Sequence, residues 1–225
     1  MSPRELLRES ALRAPIREIH HGDGLAWLRE HTLEATQALV TSLPDVSELP
    51  HLGFAGWRDW FIDTSRLVCE RTHQDAVSIF FQTDIKHTGT WVDKAYLVQR
   101  GAEAAGVSLL WHKLVCRKPP GTTSFGRPAY AHLLCFSKAL RISPGASSPD
   151  VLPSLGGMPW SRAMGVDACE FVCRFLRERT PCRTVIDPFC GQGTVLAVAN
   201  QHGMDAIGVE LSKKRAKRAR NLRLD

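Results

Sequence analysis

The sequence predicts an α/β fold built on a mainly parallel sheet. Three observations predict it. Short apolar segments of strand length alternate with stretches of helical period. One such segment, "RTVID", ends in the glycine-rich turn "PFCGQG", which opens into the helical stretch "TVLAVANQH". No apolar run reaches the ~18 residues that a membrane span requires, so the 44% hydrophobic content of this 225-residue chain is available for one sizeable core. The expectation is a single domain over residues 1–225, soluble and cytoplasmic.

The elements follow in order. "REIHHGD" reads as a strand closing at Gly22-Asp23, "LAWLREH" as a short helix and "QALVTS" as a second strand. Trp57, Trp60, Phe61 and Val68 recur at helical spacing, so "GWRDWFIDTSRLVCE" is an amphipathic helix. "AVSIFFQ" is a buried strand, followed by the polar loop "TDIKHTGTW" and a helix over about 92–105. "VSLLWHKLV" and "AHLLCFS" are two further strands, with Lys113 and Lys138 expected to snorkel from their ends. Gly, Pro and Ser dominate 143–157, which reads as a flexible loop within the domain. Ala168, Phe171, Val172, Phe175 and Leu176 form one helical stripe behind Asp167, its expected N-cap. The glycine-loop helix stops at Gly203, "AIGVE" is a strand, and a basic helix ends the chain.

Charge and cysteines narrow the field. The net charge of +6 and pI near 9.1 favour a polyanionic partner. The densest basic run, "SKKRAKRARNLR", reads first as a solvated helix face and second as a phosphate contact. The N-terminal "MSPRELLRESALRAP" lacks the apolar stretch of a signal peptide. Seven scattered cysteines argue against a disulfide framework. Cys169 and Cys173 share a helix face, but no second pair has zinc spacing, so buried thiols and no metal are expected.

The glycine turn carries the chemistry. Its strand ends in Asp187, the glycines Gly191 and Gly193 flank Gln192, and the following strand ends in Glu210. The glycines let the backbone turn sharply and approach a ligand. The helix start offers unpaired N–H groups, and a carboxylate at the next strand end can accept from both hydroxyls of a ribose. Leu196 replaces the third glycine of the dinucleotide fingerprint, which weakens a nicotinamide reading. Asp187 opposes a pyrophosphate and suits a ligand with a cationic amino group. S-adenosylmethionine has adenosine, ribose and ammonium together.

The segment "DPFCGQGTVLAVANQHGMDAIGVELSKKRAKRARNL" resembles the cofactor motif Asp-Pro-Phe-x-Gly-x-Gly-Thr of the permuted β-type DNA amino-methyltransferases. "HHGDGLAWL" is similar to that family's opening Gly-Asp-x-Leu segment, and "VTSLPD" stands where its Thr-Ser-Pro-Pro-Tyr loop belongs. "LLWHKLVCRKPP" and "FGRPAYAHLLCFSK" resemble its later strands. The resemblance spans about residues 16–224. It implies a Rossmann-like, seven-stranded, circularly permuted fold with acceptor motifs first and the glycine loop late, and S-adenosyl-L-methionine as cofactor. It further implies a cofactor site of Asp187, Phe189, Cys190, Gly191, Gly193 and Thr194, with Glu210 on the ribose and Asp23 near the adenine amino group. The stretch 159–167 would border the methionine end. Ser42 and Asp187 both fall at strand ends, so neighbouring strands would bring the two loops to one crevice.

The acceptor loop departs from the family. Ser42 keeps its first hydrogen-bond acceptor, the Leu43 carbonyl can keep the second, and Pro44 keeps it stiff. Asp45 replaces the aromatic that stacks on a flipped base. A carboxylate cannot stack, but it accepts hydrogen bonds or acts as a base. Phe54, Trp57 and Trp60 are candidate stacking rings, with Trp60 assigned to the core. Asp84, beside Lys86 and His87 at the end of a buried strand, is a further catalytic candidate, and Arg127 and Tyr130 are substrate-contact candidates. The short irregular 143–157 stretch leaves no room for a large recognition domain, which favours RNA over DNA. Three functions stay open: nucleic-acid methyltransferase; methyltransferase on a small molecule or protein with Asp45 as base; and a non-catalytic cofactor-binding subunit. A protein partner or homodimer is compatible with each.

Overall fold

The computed structural model describes residues 13–224, so most of the N-terminal stretch read against a signal peptide lies outside the described residues. Ten strands and six α-helices run in the order β1 (Arg17–His21), α1 (Gly24–Glu30), β2 (Gln37–Thr41), α2 (Gly53–Arg71), β3 (Ser78–Gln82), β4 (Ile85–His87), β5 (Thr90–Val92), α3 (Lys94–Ala104), β6 (Ser108–Cys116), β7 (Tyr130–Ser137), β8 (Val151–Leu152), α4 (Val166–Arg179), β9 (Thr184–Asp187), α5 (Thr194–Gln201), β10 (Asp205–Glu210) and α6 (Lys213–Asn221). Eight strands form one sheet in the order β1-β10-β9-β2-β3-β7-β6-β8, and β4 and β5 pair separately. The β1, β10, β9, β2 and β3 neighbours are parallel, while β7 runs antiparallel to both β3 and β6.

Alternation along the central strands explains the layers. Successive side chains point to opposite faces of a sheet. Ala38 and Val40 of β2, with Val185 of β9 and Ile79 of β3, join Val172, Leu176, Val195 and Ala216 of α4, α5 and α6. Leu39, Ile186 and Phe80 turn to the other face and meet Leu28, Trp57, Phe61, Leu97 and Val98 of α1, α2 and α3. Both faces are covered, so these strands read as apolar runs. No helix among the described residues is long and apolar enough to cross a membrane.

The α/β expectation holds, with corrections in detail. The sheet has eight strands rather than seven. The eighth is β8, inside the stretch expected to be a flexible loop. It pairs in parallel with β6, and Leu114 N–H donates to the Asp150 carbonyl at 2.9 Å. Lys113 does not snorkel: it is buried and donates to the carbonyls of Ser148 at 3.0 Å and Pro149 at 2.8 Å, pinning this segment. Lys138 does reach past its strand end, to the carbonyls of Glu70 and Thr72 at the close of α2. The polar loop after β3 folds into the β4–β5 hairpin. Asp167 sits within the first turn of α4, whose N-cap is Gly165.

All seven cysteines are free, and all but Cys116 are buried. Burial pushes the Cys69 and Cys173 thiols up to about 12, which keeps them inert.

One glycine fixes how α1 meets the centre of the sheet. A Cβ on Gly24 would lie 1.9 Å from the Pro188 carbonyl oxygen, on the glycine-loop side. Gly24→Ala is expected to lose at least about 1–3 kcal/mol, the usual range for overpacking, with a matching fall in the denaturant midpoint.

Candidate functional site

Parallel strands place their carboxyl ends together, and ligands collect there. β9 and β2 are neighbours in register, with Leu39 opposite Ile186, so the glycine loop and the Ser42 loop leave adjacent strand ends. A cavity of about 620 Å³ opens between them, within the usual range for small-molecule sites. Asp23, Ser42, Leu43, Pro44, Asp45, Asp187, Phe189, Cys190, Gly191, Thr194 and Glu210 all line it. Gly193 lies just behind, at φ 80°, as the N-cap of α5.

Three carboxylates on successive strand ends share one design. Asp187 Oδ1 accepts from the Thr41 hydroxyl at 2.7 Å and the Phe189 N–H at 3.0 Å. Glu210 Oε1 accepts from Ser212 N–H at 2.8 Å. Asp23 Oδ1 caps α1, accepting from Leu25 N–H at 2.7 Å and Ala26 N–H at 3.3 Å. In each, one oxygen orients the side chain and the other has no protein partner among the described residues. Asp187 is 1% exposed, and burial holds its carboxyl up to about 7. No cation among the described residues pairs with it. A cationic ligand group would supply the missing partner.

The glycine loop meets a ring that the sequence reading did not single out. Gly191 has φ 56°, and a Cβ there would lie 2.6 Å from the Trp160 ring. Trp160 Nε1 donates to the Thr194 hydroxyl at 3.2 Å. The stretch expected to border the methionine end does line the cavity, through Trp160, Ser161, Arg162, Ala163 and Met164. Glycine loop, helix start and free carboxylate oxygens together fit a nucleoside bearing an amino cation.

On the opposite wall, Ser42 is half-buried and its hydroxyl has no partner among the described residues. The Pro44 carbonyl accepts from Trp57 Nε1 at 3.1 Å, which anchors the loop to α2. Asp45 is not a free base. Lys94 Nζ donates to its Oδ1, and Arg127 donates to its Oδ2 at 3.2 Å. Lys94 is 3% exposed; burial lowers its pKa, while Asp45 opposes that shift. Arg117, with its guanidinium on Thr83 Oγ1 at 3.2 Å, lines the same wall. At the rim Glu48 pairs with Arg162 at 2.6 Å and Arg215 at 3.9 Å.

Asp84 departs from the expected catalytic role. It is 1% exposed and does not line the cavity. It accepts from Lys94 N–H at 2.8 Å, Trp91 Nε1 at 3.1 Å, His132 Nε2 at 3.1 Å and the Tyr130 hydroxyl at 3.4 Å. These donors, with burial opposing them, hold its carboxyl below the ordinary range. It fastens the β4–β5 hairpin and α3 to β7. Asp84, Asp93 and His132 bring one possible metal-ligand atom each within 4.8 Å. Donors already occupy both Asp84 oxygens, and Asp93 Oδ1 caps α3 through Tyr96 N–H at 2.8 Å, so the trio reads as structural. Tyr130 belongs to this network rather than to the cavity wall.

The ring assignments also change. Trp57 is wholly buried, whereas Trp60, expected in the core, lines the cavity edge-on to Phe189 at 6.1 Å. Phe54 stacks on His87 at 3.9 Å. Lys94 was missed. Its one signal is a cation in the first turn of a helix, where the dipole disfavours positive charge unless an acid holds it. Trp160 had none beyond its place in the 159–167 stretch.

Residues 179–221 match the family model described as DNA methylase. No curated protein sequence matches significantly. Among solved structures, a putative DNA modification methylase from Thermus thermophilus is similar at TM-score 0.70 and 18% identity, over 92% of this chain and 93% of that one. The same methylase complexed with S-adenosyl-L-methionine gives TM-score 0.69 at 18% identity, over 92% of each chain. The cytosine-N4-specific PvuII DNA methyltransferase gives TM-score 0.71 at 17% identity, over 94% of this chain and 88% of that one. The chain thus resembles the DNA amino-methyltransferases, in sequence across the glycine-loop segment and in fold across nearly its whole length.

Proposed function

We propose that this protein is an S-adenosylmethionine-dependent methyltransferase acting on DNA, built as a single catalytic domain. The observation that carries the reading is the trio of cavity-lining carboxylates around the glycine loop, each with one oxygen free. Asp187 faces the ammonium, Glu210 the ribose and Asp23 the adenine amino group. Phe189, Cys190, Gly191, Gly193 and Thr194 shape the loop. The cofactor supplies an electrophilic methyl on sulfur. The protein's task is to hold a nitrogen lone pair in line with it, and much of such catalysis is positioning.

For that task the free Ser42 hydroxyl and the Leu43 carbonyl are the acceptors for a base amine. The Pro44 carbonyl is committed to Trp57. Trp60, Phe81, Trp160 and Phe189 are the aromatic rings that line the cavity. Asp45, gripped by Lys94 and Arg127, is a structural counter-ion that fixes two cations at the acceptor end, which weakens the reading as a base for another acceptor class. The RNA preference rested on the lack of a recognition domain. The Thermus methylase is covered over 93% of its length by this chain, so compact size is no obstacle to a DNA modification methylase, and DNA is the acceptor we favour.

Labelled methyl transfer to purified DNA, RNA and cell extract tests this, together with nucleoside mass spectrometry of cells with and without the protein. Methylated DNA is expected. Label in RNA or protein alone would move the acceptor class, and cofactor binding without any transfer would point to a non-catalytic subunit.

The Asp187 carboxyl gives a pH signature. Below about 7 it is protonated and neutral; above, it is ionised and can hold an ammonium. Cofactor affinity is therefore expected to rise with pH up to about 7 and then level off, and Asp187→Asn to flatten the profile, both read by calorimetric titration. Stability of the cofactor-free protein runs the other way. In the unfolded chain this carboxyl ionises from its ordinary 3.8, in the folded chain only near 7, so stability falls as pH rises across that window.

Asp45→Ala leaves the buried Lys94 ammonium with one partner fewer. It is expected to cost about 3–5 kcal/mol in denaturant unfolding, with Asp45→Ala/Lys94→Met recovering most of it. Normal turnover in a folded Asp45→Ala protein would remove the residue from the mechanism.

A further inference from the structure

The β6–β7 loop, residues 117–129, builds a second concavity of about 350 Å³ beside the main cavity. The two share Arg117 and Arg127, which form the wall between them. Arg127 gives one donor to Asp45. Arg117 and Lys118 have no acidic partner among the described residues. On the inner side of this wall Asp45 pairs with both Lys94 and Arg127. Burial and the charge of Arg127 both lower the Arg117 pKa, so the two guanidiniums lie close enough to repel. Beside them Phe125 is 91% exposed, the most exposed large apolar side chain among the described residues. A wall with an excess of cations next to a bare aromatic ring is the chemistry of a single-strand nucleic-acid platform, with phosphates on the cations and a base on the ring.

We propose that the outer concavity binds the DNA nucleotide flanking the one presented to the main cavity, its phosphate on Arg117, Lys118 and Arg127 and its base stacked on Phe125. The inference rests on DNA as the acceptor and adds a site for a neighbour of the methylated base. It also places an aromatic contact on the loop opposite Asp45, where the acceptor loop itself carries none. The shared arginine wall fits a continuous strand, because Arg117 and Arg127 line both compartments.

Fluorescence anisotropy with a short labelled DNA strand of mixed sequence, and with its duplex, tests the site in the full-length protein. Phe125→Ala is expected to weaken strand binding roughly five- to 150-fold, and Phe125→Trp to retain it. Lys118→Ala is expected to lower the slope of log affinity against log salt by about 0.7, the share of one single-strand phosphate contact. Both side chains are exposed, so the folded state and cofactor affinity should match wild type. Wild-type binding with unchanged affinity and salt slope in both variants would overturn this site and leave the DNA reading standing. Failure of the wild-type protein to bind either DNA would overturn the acceptor reading, and this site with it.

Discussion

The Thr41–Asp187 hydrogen bond is the contact on which the site depends. It joins the ends of β2 and β9 at the centre of the sheet, 2.7 Å across two buried side chains. One end precedes the acceptor loop and the other begins the glycine loop, so this bond sets how the two loops stand relative to one another. A buried carboxylate is costly unless its lone pairs are taken. Thr41 and Phe189 N–H take those of one oxygen only. The site is therefore assembled around an unfinished electrostatic interaction, and the raised Asp187 carboxyl is its measure. A cationic ligand completes it, which links ligand affinity to the same strain that lowers stability when the ligand is absent.

Around that floor the charges are graded by burial. Asp45 and Lys94 pair near the base of the acceptor wall, with side chains 15% and 3% exposed. Removing either partner there leaves a poorly solvated charge. Glu48, Arg162 and Arg215 pair at the rim, where their side chains are 24%, 39% and 41% exposed. Pairs of that kind contribute only about 0–1 kcal/mol each. The interior is held by contacts that are hard to break and the mouth by contacts that are easy to exchange.

Much of this was legible in the sequence because it rests on local rules. Short apolar runs mark the central strands, and the strand–glycine turn–helix order marks the loop. The expectation that Ser42 and Asp187 share a crevice follows from strand-end geometry once their strands are neighbours, and they are. The errors fell where partners are remote in sequence. Asp84 sits in a polar loop like a catalytic residue, but its donors come from β5, α3 and β7. Trp57 and Trp60 are three residues apart on one helix, and contacts remote in sequence separate them: Trp57 is buried with its Nε1 on the Pro44 carbonyl, while Trp60 meets Phe189 at the cavity. β8 is two residues in a run of Gly, Pro and Ser, held by a lysine that the pattern sent to solvent.

On the function proposed above, the loop Ser42–Asp45 is an acceptor loop with one residue given over to a different task. An aromatic at position 45 would contribute a stacking surface and no charge. The aspartate contributes charge and no surface, and it brings Lys94 and Arg127 within reach of the acceptor pocket. The exchange makes sense only if the lost stacking is supplied elsewhere and the gained cations have something to bind. Trp60 and Phe189 offer rings from the cavity side, and the β6–β7 loop offers Phe125 from outside. Phosphate is the anion that a nucleic-acid acceptor brings to every nucleotide. On the proposed DNA reading, an acceptor end that trades a ring for cations leans on the backbone of its substrate more than on the face of its base.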